Sequence, residues 1–154
     1  MTESKLALVA NRLEIIELTA RYAYRIDTRQ LDLLMELWSD EGPIFDESDF
    51  GLGKFIGKGE IRHHYADDIY GQMENLCHLT TNHVINELSE SRASGNCHVF
   101  AQGDVRAGGS SRATAYYTDQ YVHENGVWKF SSRKVTPLTK PYVGGFQFPT
   151  DNTE

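Results

Sequence analysis

The sequence predicts an α+β domain, in which N-terminal helices pack on a curved antiparallel sheet that encloses a pocket. Apolar residues recur with a helical period in the first third of the chain, and with a period of two from residue 78 onwards. Helices followed by an antiparallel meander are the α+β order of elements. The 154 residues are enough for one domain with a substantial core, so we predict a single domain over residues 1–154.

The first helix is predicted over about residues 5–26. Its apolar stripe, with steps of three and four, consists of Val9, Leu13, Ile16, Ala20 and Ala23. Asp27 lies at the next step of four on this stripe. A carboxylate on a buried face costs several kcal/mol unless it is partnered or protonated. Periodicity leaves two interpretations equally open: Asp27 is a functional group, or it turns to solvent at the helix end.

The remaining elements follow from shorter signals. Two further helices are predicted at about 30–38, with Thr28 as N-cap, and at about 60–70, and a short strand at 44–49 lies between them. Long strands are predicted at 78–88, 93–106, 112–123 and 127–137, and Asn125-Gly126 suits a type I′ hairpin turn. The tail from residue 141, which contains Phe146 and Phe148, is expected to cover an opening or a subunit contact.

Composition excludes several classes of partner. The formal net charge is −7 and no Lys/Arg-rich stripe is present, which argues against nucleic acid. No apolar run approaches the roughly 20 residues of a membrane span, and charges come too early for a signal peptide. Cys77 and Cys97 lack CxxC spacing and are typical of buried thiols in a reducing compartment. We therefore expect a soluble cytoplasmic protein that contacts neither nucleic acid nor membrane.

Histidines are further candidates for chemistry. His78, His83 and His98 lie in predicted strands, where a lone histidine is more often structural than catalytic. His63 and His64 are adjacent on the third helix and are expected at the surface. The sequence has no HxH, HxxE or HExxH spacing, so we expect no metal site. It also has no nucleotide-binding loop, and we expect no cofactor.

Two tyrosines and one arginine complete the candidates. At 100° per residue, Tyr24 lies about 60° from Asp27 and Tyr22 about 140° away, which favours Tyr24 as a neighbour of Asp27 in a pocket. Arg133 follows Trp128 by five residues, so by strand parity the two face opposite sides of the sheet unless a bulge intervenes.

Several stretches of the chain are similar to SnoaL-like proteins of the nuclear transport factor 2-like superfamily. They are residues 15–18, 21–29, 37–41, 78–85, 117–121 and 126–133, and the resemblance covers about residues 5–137. It is strongest to the scytalone dehydratase-like branch, which includes hexachlorocyclohexane dehydrochlorinase and bile-acid 7α-dehydratase. The resemblance implies a cone-shaped α+β fold and a homo-oligomer, with a trimer favoured and a dimer possible.

The resemblance also implies site residues. The aspartate of the branch falls on Asp27, its histidine on His78, and the late arginine of the dehydrochlorinase on Arg133. Tyr22 stands where the dehydrochlorinase has a lysine and the bile-acid dehydratase a tyrosine, which favours dehydration. The second histidine of scytalone dehydratase has no clear match, since His98 and Asp104 both lie near that strand position; Tyr22 and Tyr24 also stay open as second acid/base partner.

The expected function is that of a cofactor-independent lyase, a dehydratase or related β-eliminating enzyme, acting on a small hydrophobic cyclic molecule through an Asp27–His78 acid/base dyad. Tyr22 and Arg133 are the other expected catalytic residues. The expected substrate-binding residues are Tyr24, Trp38, Phe45 and His98. The alternatives are a SnoaL-type cyclase or a ketosteroid isomerase-like enzyme, which does not need this dyad, and a non-catalytic binding or assembly subunit, whose pocket would be filled by side chains.

Overall fold

A computed structural model gives the fold and describes residues 3–143, so Phe146 and Phe148 lie outside the described residues. The helical part precedes most of the sheet. It consists of α1 (Glu3–Asp27), α2 (Leu31–Glu36), α3 (Lys58–His63), a π-helical segment (His64–Ile69) and α4 (Tyr70–Gln72). The predicted third helix therefore changes its pitch at His64. None of the helices in this range combines the length and apolar composition needed to cross a membrane.

The sheet follows the order β2-β1-β6-β5-β4-β3, and β7 pairs with β5. Its strands are β1 (Ile44–Asp46), β2 (Lys54–Ile56), β3 (Cys77–Leu88), β4 (Arg92–Asp104), β5 (Ser110–Glu124), β6 (Val127–Pro137) and β7 (Tyr142–Val143). Only the β1–β6 pairing is parallel among these strands. The predicted α+β class, with helices against a curved and mainly antiparallel sheet, is confirmed.

The short elements differ from their predictions. β1 ends at Asp46, and a 3-10 turn (Ser48–Phe50) replaces the rest of the predicted strand 44–49. β2 and β7 were not predicted, because two or three residues carry no measurable period. Gln30, not Thr28, precedes α2, and the Thr28 hydroxyl instead donates to the carbonyl of Tyr24 at 2.6 Å. The type I′ turn is confirmed, with positive φ at both residues of Asn125-Gly126.

The buried face of α1 differs from the predicted stripe. Leu13 is 62% exposed, and Val9 and Ile16 are exposed as well, whereas Ala23 of the predicted stripe is buried. The core is lined instead by Ile15, Leu18, Tyr22 and Ile26, which have the same helical spacing displaced by one residue, or about 100° around the helix. Both stripes are helical in period, so period alone could not choose between them.

A β-bulge in β6 reverses the parity of that strand. Phe130 pairs with Tyr121 and Ser132 with Gln120, so Ser131 has no cross-strand partner. Trp128 and Phe130 face the core before the bulge, and Arg133 faces it after the bulge. The extra residue therefore brings Arg133 to the same side of the sheet as Trp128.

Candidate active site

A pocket of about 140 Å³ lies between the helices and the concave face of the sheet. Most of its wall is apolar and comes from α1, the π-helical segment and the four long strands. Its polar side chains are Tyr22, Glu47, Tyr65, His78, Ser111 and Tyr117. This volume is close to the roughly 150 Å³ of an apolar cavity that admits benzene. A few polar groups in an apolar cavity are typical of a small-molecule site.

Asp27 and His78 meet at the edge of this pocket. The last residue of α1 places its carboxylate against the start of β3, where Oδ1 lies 2.6 Å from Nδ1 of His78 and Oδ2 accepts the backbone N–H of His78 at 2.8 Å. The two side chains are 21% and 13% exposed, and His78 lines the pocket. A carboxylate on Nδ1 fixes the tautomer of the neutral ring and leaves Nε2 as the basic atom.

Two tyrosine hydroxyls form a second polar group in the pocket wall. Tyr22 and Tyr65 are hydrogen-bonded through their hydroxyls, and both residues are buried. Burial raises the pKa of both phenols above its ordinary value, which more than offsets the lowering effect of Arg133 on Tyr22. Both hydroxyls therefore stay protonated at neutral pH and can donate hydrogen bonds.

Arg133 lies behind the pocket wall. It is fully buried and forms a bidentate pair with Asp119, with Nε donating to Oδ1 at 2.8 Å and Nη2 to Oδ2 at 2.7 Å. Its guanidinium also lies 4.2 Å from the ring centre of Tyr22 and 3.8 Å from that of Tyr117. Arg133, one of the expected catalytic residues, therefore does not line the cavity, whereas Tyr22 and Tyr117 do.

Other predicted site residues are distributed unevenly. Phe45 lines the pocket, whereas Trp38 is fully buried in the core and does not line it. Tyr24 is 63% exposed, because it follows the buried Tyr22 by two residues on α1. His98 is exposed on the convex face of β4, where Nδ1 contacts the side-chain amide of Asn82 at 2.8 Å. Contrary to expectation, Tyr24, Trp38 and His98 therefore lie outside this pocket.

Asp104 also lies outside the pocket. Its carboxylate is exposed and accepts a hydrogen bond from the side-chain amide of Asn75 at 2.7 Å. Both Asp104 and His98 lie outside the pocket, so neither residue corresponds to the second histidine of scytalone dehydratase. The hydroxyl pair of Tyr22 and Tyr65 occupies the pocket instead.

The pocket contains a carboxylate that the sequence did not predict. Glu47, in the connection after β1, lines it, and its Oε2 lies 2.8 Å from Nε2 of His64. His64 was expected at the surface but is 1% exposed, and its Nδ1 lies 2.9 Å from Oδ2 of Asp68. The only sequence signal was the spacing of four between His64 and Asp68, which places them on one helix face.

Comparison with known proteins gives a family. A profile of the SnoaL-like domain matches residues 7–134. The chain is 30% identical over 143 residues to a gamma-hexachlorocyclohexane dehydrochlorinase of Sphingobium indicum, with 88% of each chain covered.

Two solved structures have a fold similar to that of this chain. A crystal structure of LinA superimposes with a TM-score of 0.78 at 26% identity, covering 92% of this chain and 98% of LinA. A protein from Novosphingobium aromaticivorans DSM 12444 described as a candidate scytalone dehydratase superimposes with a TM-score of 0.78 at 19% identity, and both chains are covered completely. These likenesses confirm the predicted nuclear transport factor 2-like fold.

Proposed function

We propose that this chain, which belongs to the SnoaL-like domain family, is a cofactor-independent lyase acting on a small hydrophobic cyclic substrate. The observation that carries the proposal is the 2.6 Å contact between Asp27 and Nδ1 of His78 at an apolar pocket. The relative that is 30% identical is a dehydrochlorinase, which is also an eliminating enzyme.

In the proposed reaction His78 is the general base. Its Nε2 removes a proton next to an activating group, the C–H electron pair becomes a C=C bond, and the leaving group departs from the β carbon with its bonding electrons. Asp27 stabilises the imidazolium that forms, and the apolar wall keeps competing water away from the base.

The tyrosine pair supports departure of an oxygen. Tyr22 or Tyr65 donates a hydrogen bond to the leaving oxygen or to a substrate carbonyl, which protonated buried phenols can do at neutral pH. Arg133 is a positioning residue in this scheme, since its charge lies under the rings of Tyr22 and Tyr117 and favours negative charge at their hydroxyl ends. This arrangement favours a dehydration over a dehalogenation.

The alternatives make different use of the same fold. An isomerase or cyclase needs an acid/base carboxylate but not a carboxylate–histidine dyad, and the Asp27–His78 contact therefore supports the lyase. A binding or assembly subunit is favoured by a filled pocket, and the open cavity of about 140 Å³ argues against that reading.

The test is a screen of β-hydroxy carbonyl compounds and halogenated ring compounds for formation of a double bond. For any compound that reacts, Asp27→Asn and His78→Ala should each abolish turnover. The melting temperature of Asp27→Asn should be unchanged or higher, because this variant removes a carboxylate from a partly dry site, whereas His78→Ala should lower it, because the Asp27 carboxylate then loses its partner. An enzyme that keeps most of its activity after either substitution does not use this mechanism.

A further inference from the structure

The pocket has a second titratable group that the elimination scheme leaves unused. Glu47 lines the cavity from the connection after β1, whereas His78 comes from β3, and these strands lie four positions apart in the sheet order. Glu47 is the only carboxylate among the described residues that line this cavity. Its side chain is 16% exposed. A carboxylate in such an apolar wall is costly and needs a reason.

Both the backbone and one oxygen of Glu47 are fixed. Its N–H donates to the carbonyl of Gly53 at 2.8 Å, and its carbonyl accepts the N–H of Phe50 at 2.9 Å. Oε2 accepts a hydrogen bond from Nε2 of His64. Oε1 has no hydrogen-bond partner in the part of the chain that the structure describes, so one acceptor of a fixed carboxylate stays available.

His64 holds this carboxylate in place and faces it with a basic ring. The imidazole is 1% exposed, stacks on Phe55 with ring centres 4.0 Å apart, and faces a carboxylate at each nitrogen. Burial lowers the pKa of His64, but Glu47 and Asp68 raise it further, so the net shift is upward. As imidazolium it donates to both carboxylates, and its charge compensates Glu47. The pocket therefore offers a hydrogen-bond acceptor whose charge is already compensated, so the ligand need not be a cation.

We propose that Glu47 recognises the substrate by accepting a hydrogen bond from a hydroxyl group, so that the preferred ligand is a hydroxylated ring compound and His64 is the positioning residue. The proposal rests on the proposed function only in naming the substrate class of the same pocket. A site built to bind a hydroxyl strongly rejects the analogue without one, because its own polar group is then left unpaired. Glu47 would be a specificity-determining residue.

The experiment compares phenol with toluene, which have nearly the same shape but differ in the hydroxyl donor. Dissociation constants for both are measured by calorimetry on the wild-type protein and on Glu47→Gln and Glu47→Leu variants. We expect wild type to prefer phenol, and the preference to fall about tenfold to hundredfold in Glu47→Leu, the range for a hydrogen bond to a charged group. Glu47→Gln should lie between, since an amide oxygen accepts more weakly.

Two controls separate recognition from damage. The first control is the affinity for toluene, which is unchanged in a variant that retains the pocket. The second control is Asp46→Asn, which removes the neighbouring carboxylate; this group accepts a hydrogen bond from the Ser48 hydroxyl and does not line the cavity. Asp46→Asn should keep the phenol preference. A preference that persists in Glu47→Leu, or is lost in His78→Ala instead, overturns the proposal.

A crystal structure of the wild-type protein with phenol tests the same point without any variant. The phenol oxygen should lie about 2.5–3.0 Å from a carboxylate oxygen of Glu47. A hydroxyl bound at His78 or at the tyrosine pair overturns the assignment. Binding does not require turnover, so Asp27→Asn should keep the phenol preference. Failure of the lyase proposal and failure of this one are therefore distinguishable.

Discussion

At the scale of single residues, Arg133 and Asp119 form the most heavily buried ion pair among the described residues. Both side chains are fully buried, and the Tyr121 hydroxyl donates to Asp119 at 2.8 Å. Nη1 of Arg133 has no hydrogen-bond partner in the described range and lies among aromatic rings. Such a pair is costly to bury, but removing one partner is costlier, because the remaining charge stays in the core.

We therefore expect Arg133→Met to lower the free energy of unfolding by about 3–5 kcal/mol, since the carboxylate of Asp119 is left buried without its partner. Urea denaturation followed by circular dichroism measures this. The double variant Arg133→Met with Asp119→Leu should recover part of the loss. Lys134→Met, which removes an exposed partner of Asp49, should leave the stability unchanged. Equal effects at residues 133 and 134 would contradict the argument.

Tyr22 and Tyr24 give a matched pair on one helix. Tyr22 is buried with its hydroxyl at the pocket, and Tyr24 is exposed. Tyr22→Phe should lower kcat about hundredfold on a dehydration substrate, the effect of losing one preorganised donor. Tyr24→Phe should leave kcat unchanged. Steady-state kinetics on any compound found in the screen checks this, and an unchanged kcat in Tyr22→Phe would remove the hydroxyl from the mechanism.

Prediction from sequence succeeded where residues carried a recognisable local pattern. The resemblance brought Asp27 and His78 forward, and the structure brings them into contact although 51 residues separate them. Angle counting ranked Tyr24 above Tyr22 because it took the wrong stripe of α1 as buried. Glu47 and His64 were missed, since their contact is long-range and an adjacent histidine pair gives no sign of which ring is buried.

At the scale of elements, the junction of α3 and the π-helical segment contains the buried His64. Its pKa is raised by Glu47 and Asp68, the charged groups that face its two nitrogens, although burial opposes them. A raised pKa contributes stability that is fully present below the unfolded value, about 6.5, and is lost as pH rises through the folded value. The junction should therefore weaken on the alkaline side.

Melting temperatures measured from pH 6 to pH 9 test this. Wild-type protein should lose stability as pH rises, and His64→Gln should remove most of that slope because no imidazolium remains. His63→Gln is the matched control, since His63 is the preceding residue but is 73% exposed, and it should keep the slope. His83 affects stability in a different pH range. Its pKa is lowered, so it reduces the stability only as pH falls below about 6.5. Identical slopes in wild type and His64→Gln would refute the assignment.

The limits of prediction at this scale have one physical source. Strand and helix periods assume that each residue advances the chain by a constant step. The bulge at Ser131 changes that step locally, which carries Arg133 into the core. The Asn125-Gly126 turn was predicted because its positive φ angles depend only on those two residues.

At the scale of the whole molecule, three apolar side chains are exposed on the convex face of the sheet, beside polar ones such as His98. Leu79 is 61% exposed and pairs in register with Phe100, which is 37% exposed, and Val84 on the same strand is 55% exposed. Neighbouring apolar side chains on one exposed face are typical of an interface between subunits. The family resemblance led us to expect a homo-oligomer with a trimer favoured, and we propose this face as its contact.

We therefore expect sedimentation of the full chain at micromolar concentration to give about three times the 17.5 kDa subunit mass. Phe100→Lys should shift the protein toward monomer, because a charge in an apolar contact must be desolvated without a partner. Leu33→Lys is a matched control on α2, where an equally exposed apolar residue, 41%, lies away from this face. Dissociation should leave the Asp27–His78 contact intact, since both residues belong to one subunit. A wild-type protein that is monomeric under these conditions would show that the convex face serves another purpose.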